Sequence, residues 1–419
     1  MDGHRYVGDA VEKGAAALLV KSEHRAEAAS AAGAVAVFDV RDTLAGLQAI
    51  AASYRERVNP RVIAVTGSTG KTGTKDYITS ILSRRFKVHA TPGNLNNHIG
   101  LPLTILGMEG SEEICVTEMG ANHRKEIARL CEIARPEIGV VTNIGPVHLE
   151  FFGSLRGVAS AKAELVEALP PEGTAVLPAD DEFVEFLKGR TKARTLTYGA
   201  SEEADRRITG VARRDGLGYR FSVGDLAIEV PRYGKHNVMN AAAAAVVASI
   251  IGVPPEEIAA GIAGARAYEG RGVLFDLGGI LFVDDSYNSN PASLRAAIDA
   301  FMEIPVGGRR WLVLGDMLEL GASSGELHRE AGVYCGRAKV DGIFTIGTET
   351  VELSRAAAEQ RKSPDQITHF LDAATLAAYL GELVTPGDAV LLKGSRGMHM
   401  EKVLAAVEAI RGTARRRVD

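Results

Sequence analysis

Between an apolar, β-branched run, Arg61 to Thr66, and a helical pattern that continues to about Arg85, the chain reads Thr66-Gly67-Ser68-Thr69-Gly70-Lys71-Thr72. A strand, a glycine-rich turn and a Lys-Thr pair at a helix start make a phosphate-binding loop, and few folds accommodate one. The glycines let successive N–H groups curl around one anion, and the helix N-terminus adds its positive dipole end. Lys71 reaches the terminal phosphates of a nucleotide, and Thr72 offers its hydroxyl to Mg²⁺. The loop is shorter than the common G-x-x-x-x-G-K-[ST] pattern, since Gly67 sits only three residues before Gly70. The competing reading is a glycine turn that merely closes a βα unit. Nucleotide binding alone names no reaction, because kinases, GTPases and ligases share such loops.

Around this loop the chain alternates strands with helices, as a mainly parallel sheet requires. Strand candidates are Ile114 to Glu118, Ile138 to Asn143 and Thr174 to Leu177. The stretch Asn237 to Ile251, almost wholly Ala and Val, predicts a helix packed closely on several sides. Upstream, Ala16 to Val20 and Ala34 to Val40 read as buried strands, followed by a helix from Asp42 to Val58. Gly264 to Gly272 loses periodicity and marks a linker. Beyond it, Ile280 to Asp284, Trp311 to Gly315, Gly342 to Ile346 and Ala389 to Lys393 predict a second doubly wound sheet. For 419 residues this predicts an α/β protein of several domains.

A net charge of -5, with Lys and Arg scattered among Asp and Glu, argues against a nucleic-acid partner. The three cysteines, Cys115, Cys131 and Cys335, are odd in number and widely spaced, which suits reduced core thiols better than disulfides or zinc. The first residues carry Asp2, His4, Arg5, Asp9 and Glu12 and lack a signal-peptide core, and the run Asn240 to Val253 is too short to span a bilayer. A cytoplasmic protein without membrane insertion is the expectation.

The short loop, read with TPGNLNNHIGLP (91–102), TEMGANHRKEI (117–127), TNIGPVHLEFFGS (142–154), KHNVMNAAAA (235–244) and DDSYNSNPAS (284–293), resembles the Mur ligase family. The order and spacing extend across nearly the whole chain. That resemblance implies a three-domain ligase: a remnant of the N-terminal UDP-substrate-binding domain at 1–58, a central P-loop ATP-binding domain at 59–266, and a Rossmann-like C-terminal domain at 267–419. The family's first domain opens with strands that hold the uridine nucleotide, whereas MDGHRYVGDAV resembles the middle of that domain, so a shortened N-terminal domain is expected. GNLNNHIG, LGDMLELG (314–321) and LLKGSRGMHME (391–401), with no DNPR signature, look like the member that joins D-alanyl-D-alanine to UDP-N-acetylmuramoyl-tripeptide in peptidoglycan synthesis. A monomer is expected. The alternatives are another Mur or folylpolyglutamate-type ligase, a nucleotide-hydrolysing switch, and a truncated homologue that binds ATP without ligation.

The implied chemistry is an acyl-phosphate made from the γ-phosphate of ATP, attack by an amine, and collapse of a tetrahedral intermediate. Each step gathers negative charge, so cations and fixed donors are needed where it develops. Gly67, Ser68, Thr69, Gly70, Lys71 and Thr72 would bind ATP, with Thr72 and Glu118 holding one Mg²⁺ through oxygen. Without the resemblance, Glu118 reads as a surface carboxylate. His148 matches the ligand of a second Mg²⁺, although a lone His is more often a hydrogen-bonded loop residue. Lys162 matches a lysine that family members carbamylate with CO₂; otherwise it reads as an ordinary helical lysine facing solvent. Such a carbamate would be an anion able to meet Mg²⁺, provided burial leaves the amine neutral. Asn237 and Asn240, a turn apart, can face one adenine edge, or Asn237 can cap the helix. Arg271 and Asp285 resemble the groups the last domain brings to the phosphate and ribose of ATP, which implies domain closure. Asn94, Asn96 and Asn97 are substrate candidates or turn formers. Asn288, Asn290, Lys393, Ser395 and Arg396 are expected on the last-domain side, near ATP or the incoming dipeptide.

Overall fold

The computed structural model describes residues 2–214, 217–265, 270–361, 363 and 366–418. Three sheets organise it. Near the N-terminus, Ala17–Lys21 and Ala36–Val40 pair in parallel, covered by the helices Val7–Glu12 and Arg25–Ala32. The long helix Thr43–Val58 follows, capped by Asp42, whose carboxylate accepts from Leu44 and Ala45 N–H.

The second sheet has nine strands. Arg61–Thr66 lies deep in it, between Ile114–Glu118 and Ile138–Val141, all parallel. Buried on both faces, these strands read as continuous apolar runs, which is why their sequence signal is strong. The sheet continues in parallel through Thr174–Pro178, Arg194–Gly199 and the start of Arg206–Arg213, then ends in antiparallel pairings of Arg206–Arg213 with Tyr219–Val223 and of Tyr219–Val223 with Leu226–Val230. Pattern reading does not anticipate these last strands: Arg206–Arg213 is largely exposed, with one fully buried position, Ile208.

The Ala-rich helix His236–Ile251 packs on the loop helix Lys71–Leu82. Its alanines 241–245 are nearly inaccessible, so the small side chains set how closely the two helices approach. The expected N-cap role of Asn237 is not found. The helix begins at His236, and Asn237 lies inside it, donating to Tyr233 O (2.7 Å) and accepting from Tyr77 OH (3.2 Å).

The third sheet has seven strands. Its parallel core runs Ile367–Phe370, Gly342–Ile346, Arg310–Gly315, Ala389–Lys393 and Ile280–Asp285. The expected linker at 264–272 lies partly outside the described residues, as does the boundary expected at 266–267. Its end is structured: Gly270 O accepts from Tyr287 N–H, and Val273–Leu277 forms an antiparallel hairpin with Ile280–Asp285. All three cysteines are free and buried. Among the described residues no helix is long and apolar enough to cross a membrane.

Candidate active site

The site begins at the carboxyl ends of the central parallel strands, where open α/β sheets place their ligands. Arg61–Thr66 delivers the loop. Gly67 has φ 143° and packs so tightly that a Cβ there would stand 1.9 Å from Thr142 Oγ1, so only glycine fits. Gly70 has φ 79°, and a Cβ on it would meet Asn240 Oδ1 at 2.5 Å. Asn240 is thereby packed against the loop-helix junction, with Thr74 Oγ1 at 3.4 Å from its Oδ1.

The loop is tied to the next strand end by two residues absent from the sequence-based selection, although both sit in the TNIGPVH segment. Asn143 Oδ1 accepts from Thr69 N–H (2.9 Å) and its Nδ2 donates to Thr69 Oγ1 (2.6 Å), while Thr142 Oγ1 donates to Thr69 O (2.5 Å). Ser68 Oγ exchanges bonds with Gly145. Lys71 Nζ folds back over the loop, donating to Gly67 O (2.8 Å) and Ser68 O (3.3 Å). Desolvation holds its amine below the usual lysine range.

Glu118 ends its strand buried, not on the surface. Its Oε2 accepts from Thr72 Oγ1 (2.7 Å) and its Oε1 from Asn96 Nδ2 (2.7 Å). Two oxygens, one a carboxylate held at a fixed place beside a hydroxyl, form the kind of hard donor pair that Mg²⁺ prefers. Among the three loop asparagines, Asn96 alone is fixed on this carboxylate. Asn97 Oδ1 accepts from Ile99 and Gly100 N–H, which is turn chemistry, and Asn94 is exposed with its carbonyl bound to Asn96 N–H.

Lys162 lies on the Leu155–Glu167 helix and is buried, contrary to the solvent-facing alternative. Burial, helped by the nearby Lys71 charge, lowers its pKa to about 7. His148, in the left-handed region with φ 49°, points its Nδ1 to within 2.6 Å of Glu319 Oε2. Burial depresses its pKa, opposed by the Glu319 charge.

The seven-stranded sheet contributes the facing wall. Its adjacent strand ends carry Asp285 and Lys393, paired at 2.6 Å, and Lys393 also donates to Asn288 O at 2.9 Å. Arg271 stacks over the Tyr287 ring at 3.8 Å, with Arg396 at 5.9 Å from the same ring. Lys71 senses both Glu118 and Arg271, so charges from the two sheets share one field. Three of the expected polar side chains have structural partners. Asn290 caps the helix Pro291–Glu303 in a reciprocal box with Ser293, Ser395 Oγ accepts from Leu318 N–H and donates to Ser289 O, and Asn288 Oδ1 accepts from Ser289 N–H.

Comparison with known proteins places these features in a family. Residues 65–248 match the Mur ligase middle domain, and residues 270–396 match the Mur ligase glutamate ligase domain. The chain is 36% identical over 405 residues to the UDP-N-acetylmuramoyl-tripeptide--D-alanyl-D-alanine ligase of Bacillus subtilis, covering 96% of this chain and 87% of that protein. Its identity to the Escherichia coli ligase of the same name is 34%, over 97% of this chain and 88% of the other. Among solved structures it superimposes on MurF of Acinetobacter baumannii with a TM-score of 0.86, at 32% identity over 97% of this chain and 88% of that one. The MurF ligase of Thermotoga maritima in complex with ADP gives 0.83, at 29% identity over 98% and 92%.

Proposed function

Because the chain belongs to the Mur ligase family, we propose that it is the ATP-dependent ligase joining D-alanyl-D-alanine to UDP-N-acetylmuramoyl-tripeptide, giving the pentapeptide, ADP and phosphate in peptidoglycan synthesis. The observation that carries the reading is the buried bond from Thr72, at the head of the phosphate loop, to Glu118 at the end of the neighbouring strand. It joins a nucleotide cradle to a carboxylate suited to Mg²⁺.

In this reading the chain falls into an N-terminal UDP-substrate-binding unit at 1–58, a P-loop unit at 59–266 and a C-terminal ligase unit at 267–419. Gly67 to Thr72 cradle the phosphates, and Lys71 swings from its own loop carbonyls to the β,γ-phosphate charge. Asn237 and Asn240 lie behind the cradle toward the adenine, and Arg271 and Asp285 approach the nucleotide from the other sheet. Thr72 and Glu118 hold one Mg²⁺; His148 and a carbamylated Lys162 serve a second. The cations would neutralise charge that builds on the transferring phosphoryl group. Asn96 faces the muramoyl peptide from a loop that Asn94 and Asn97 shape, and Asn288, Lys393, Ser395 and Arg396 border the ATP or dipeptide side, with Asn290 capping the helix beside them. Positioning carboxylate, phosphate and amine in line, with water excluded, protects the acyl-phosphate from hydrolysis. Both partner substrates are water-soluble, which suits a cytoplasmic enzyme with neither nucleic acid nor membrane as partner, and the proposed site is built from one chain, which suits a monomer.

The direct test is phosphate release from Mg-ATP by the purified chain, with tripeptide and dipeptide supplied separately and together and the product identified by mass. Release that needs both, with pentapeptide formed, is the expected result. Release without either acceptor would instead indicate a nucleotide switch.

A further inference from the structure

The loop 315–321 leaves the seven-stranded sheet and reaches across to the central one. Its base is firmly held. Asp316 accepts from the N–H groups of Thr348, Glu349 and Thr350, Met317 N–H donates to the buried His328 Nε2 at 3.0 Å, and Leu318 N–H donates to Ser395 Oγ at 2.9 Å. At its tip Glu319 has φ 63°, and the residue it meets, His148, has φ 49°. Left-handed backbone in a non-glycine residue costs on the order of 1 kcal/mol or more and persists where the surroundings demand it. Here two such residues face each other across the seam between the sheets, with Glu319 Oε2 at 2.6 Å from His148 Nδ1. Two residues on, Gly321 lies against Glu150 so closely that a Cβ would stand 2.9 Å from Glu150 Cβ and 3.0 Å from its Cα. His148 Nδ1 is buried, and among the described residues the Glu319 carboxylate is the group placed to accept from that nitrogen.

We propose that Glu319 is a positioning residue that grips His148 by Nδ1 across the seam, so that Nε2 is the ring nitrogen presented to a divalent cation and cation binding there depends on the last domain being docked. This rests on the reading of His148 as a cation ligand. A carboxylate on the far nitrogen of a ligating histidine sets its tautomer and orientation and strengthens it as a donor, and losing such a partner weakens metal affinity about 10–100-fold. What is unusual is the origin of the carboxylate, which comes from the other sheet. A histidine held in this way reports domain docking directly to the phosphoryl-transfer site, whereas Thr72 and Glu118 come from a single sheet.

The test is a Mn²⁺ titration of the full chain with a non-hydrolysable ATP analogue, free ion being followed by electron paramagnetic resonance. Glu319→Gln keeps the side-chain shape and is expected to weaken the weaker Mn²⁺ site about tenfold or more while leaving the stronger one unchanged. Gly321→Ala, which pries the backbones apart with both side chains intact, is expected to act in the same direction. Glu150→Gln removes a neighbouring charge and is expected to change neither site. Wild-type Mn²⁺ affinity in both Glu319→Gln and Gly321→Ala, with a loss in His148→Gln, overturns the proposal and leaves the ligand role of His148 standing. Equal weakening by Glu150→Gln would reduce the effect to general electrostatics and also overturn it. If His148→Gln leaves both sites intact, the ligand reading and the proposal fall together.

Discussion

At the scale of single residues, burial converts ordinary side chains into unusual reagents. Lys162 has the same sequence context as many helical lysines, yet desolvation brings its pKa to about 7. About half of its amine is then neutral at pH 7, and only the neutral amine can add CO₂. The sign follows: as pH falls below about 7 the amine protonates and the carbamate is lost, while added bicarbonate opposes the loss. We therefore expect enzyme equilibrated with isotope-labelled bicarbonate to show a carbamate carbon resonance near pH 8 that fades toward pH 6 and is absent in Lys162→Ala. A wild-type spectrum without that resonance at any pH would sink the assignment. Gly67 makes the opposite point, because its role was visible beforehand. A methyl group there collides with Thr142, so Gly67→Ala should abolish binding of a fluorescent ATP analogue.

At the scale of elements, the same polar residue can serve chemistry or architecture, and local geometry separates the two. Asn290 sits in a segment that reads as substrate-facing, but its side chain and that of Ser293 close a capping box on Pro291–Glu303. Replacing Asn290 by Ala should cost about 1 kcal/mol, read as a lowered melting temperature. Its KM for D-alanyl-D-alanine should stay near wild type; a large rise in KM with unchanged stability would restore the substrate role. The Ala-rich helix is fixed by packing. Ala243 is fully buried, so Ala243→Leu should cost about 1–3 kcal/mol by overpacking, measured by denaturant unfolding. Of the strands between Arg206 and Val230, Arg206–Arg213 is largely exposed and shows little alternation, whereas Tyr219–Val223 and Leu226–Val230 alternate buried with exposed positions, a period-2 signal that pattern reading passed over. The parallel strands around the loop were legible to within a residue or two because both faces are dry.

At the scale of the whole molecule, two contacts between the larger sheets stand out among the described residues. One is the His148–Glu319 seam beside the site. The other lies opposite, where Tyr233 OH donates to Ala297 O at 2.6 Å and Tyr219 OH contacts the Glu303 carboxylate. Removing both hydroxyls, as Tyr219→Phe with Tyr233→Phe, should loosen docking by about 1 kcal/mol per bond. The expected readout is a larger radius of gyration by small-angle scattering with an ATP analogue bound, together with a raised KM for ATP. Unchanged scattering would mean that the site-side contacts alone hold the sheets together.

By itself, the sequence determined the phosphate loop, the parallel strands that flank it, the order of motifs and hence the family, because glycine placement and apolar runs are local properties of the chain. Only the tertiary structure decided that Glu118 and Lys162 are buried, that Asn143 braces Thr69 while Asn97 and Asn290 shape turns and caps, and that Glu319 stands against His148. Those facts depend on which residues distant in the chain come within a few ångströms, and burial and proximity set charge state and hydrogen-bonding partner.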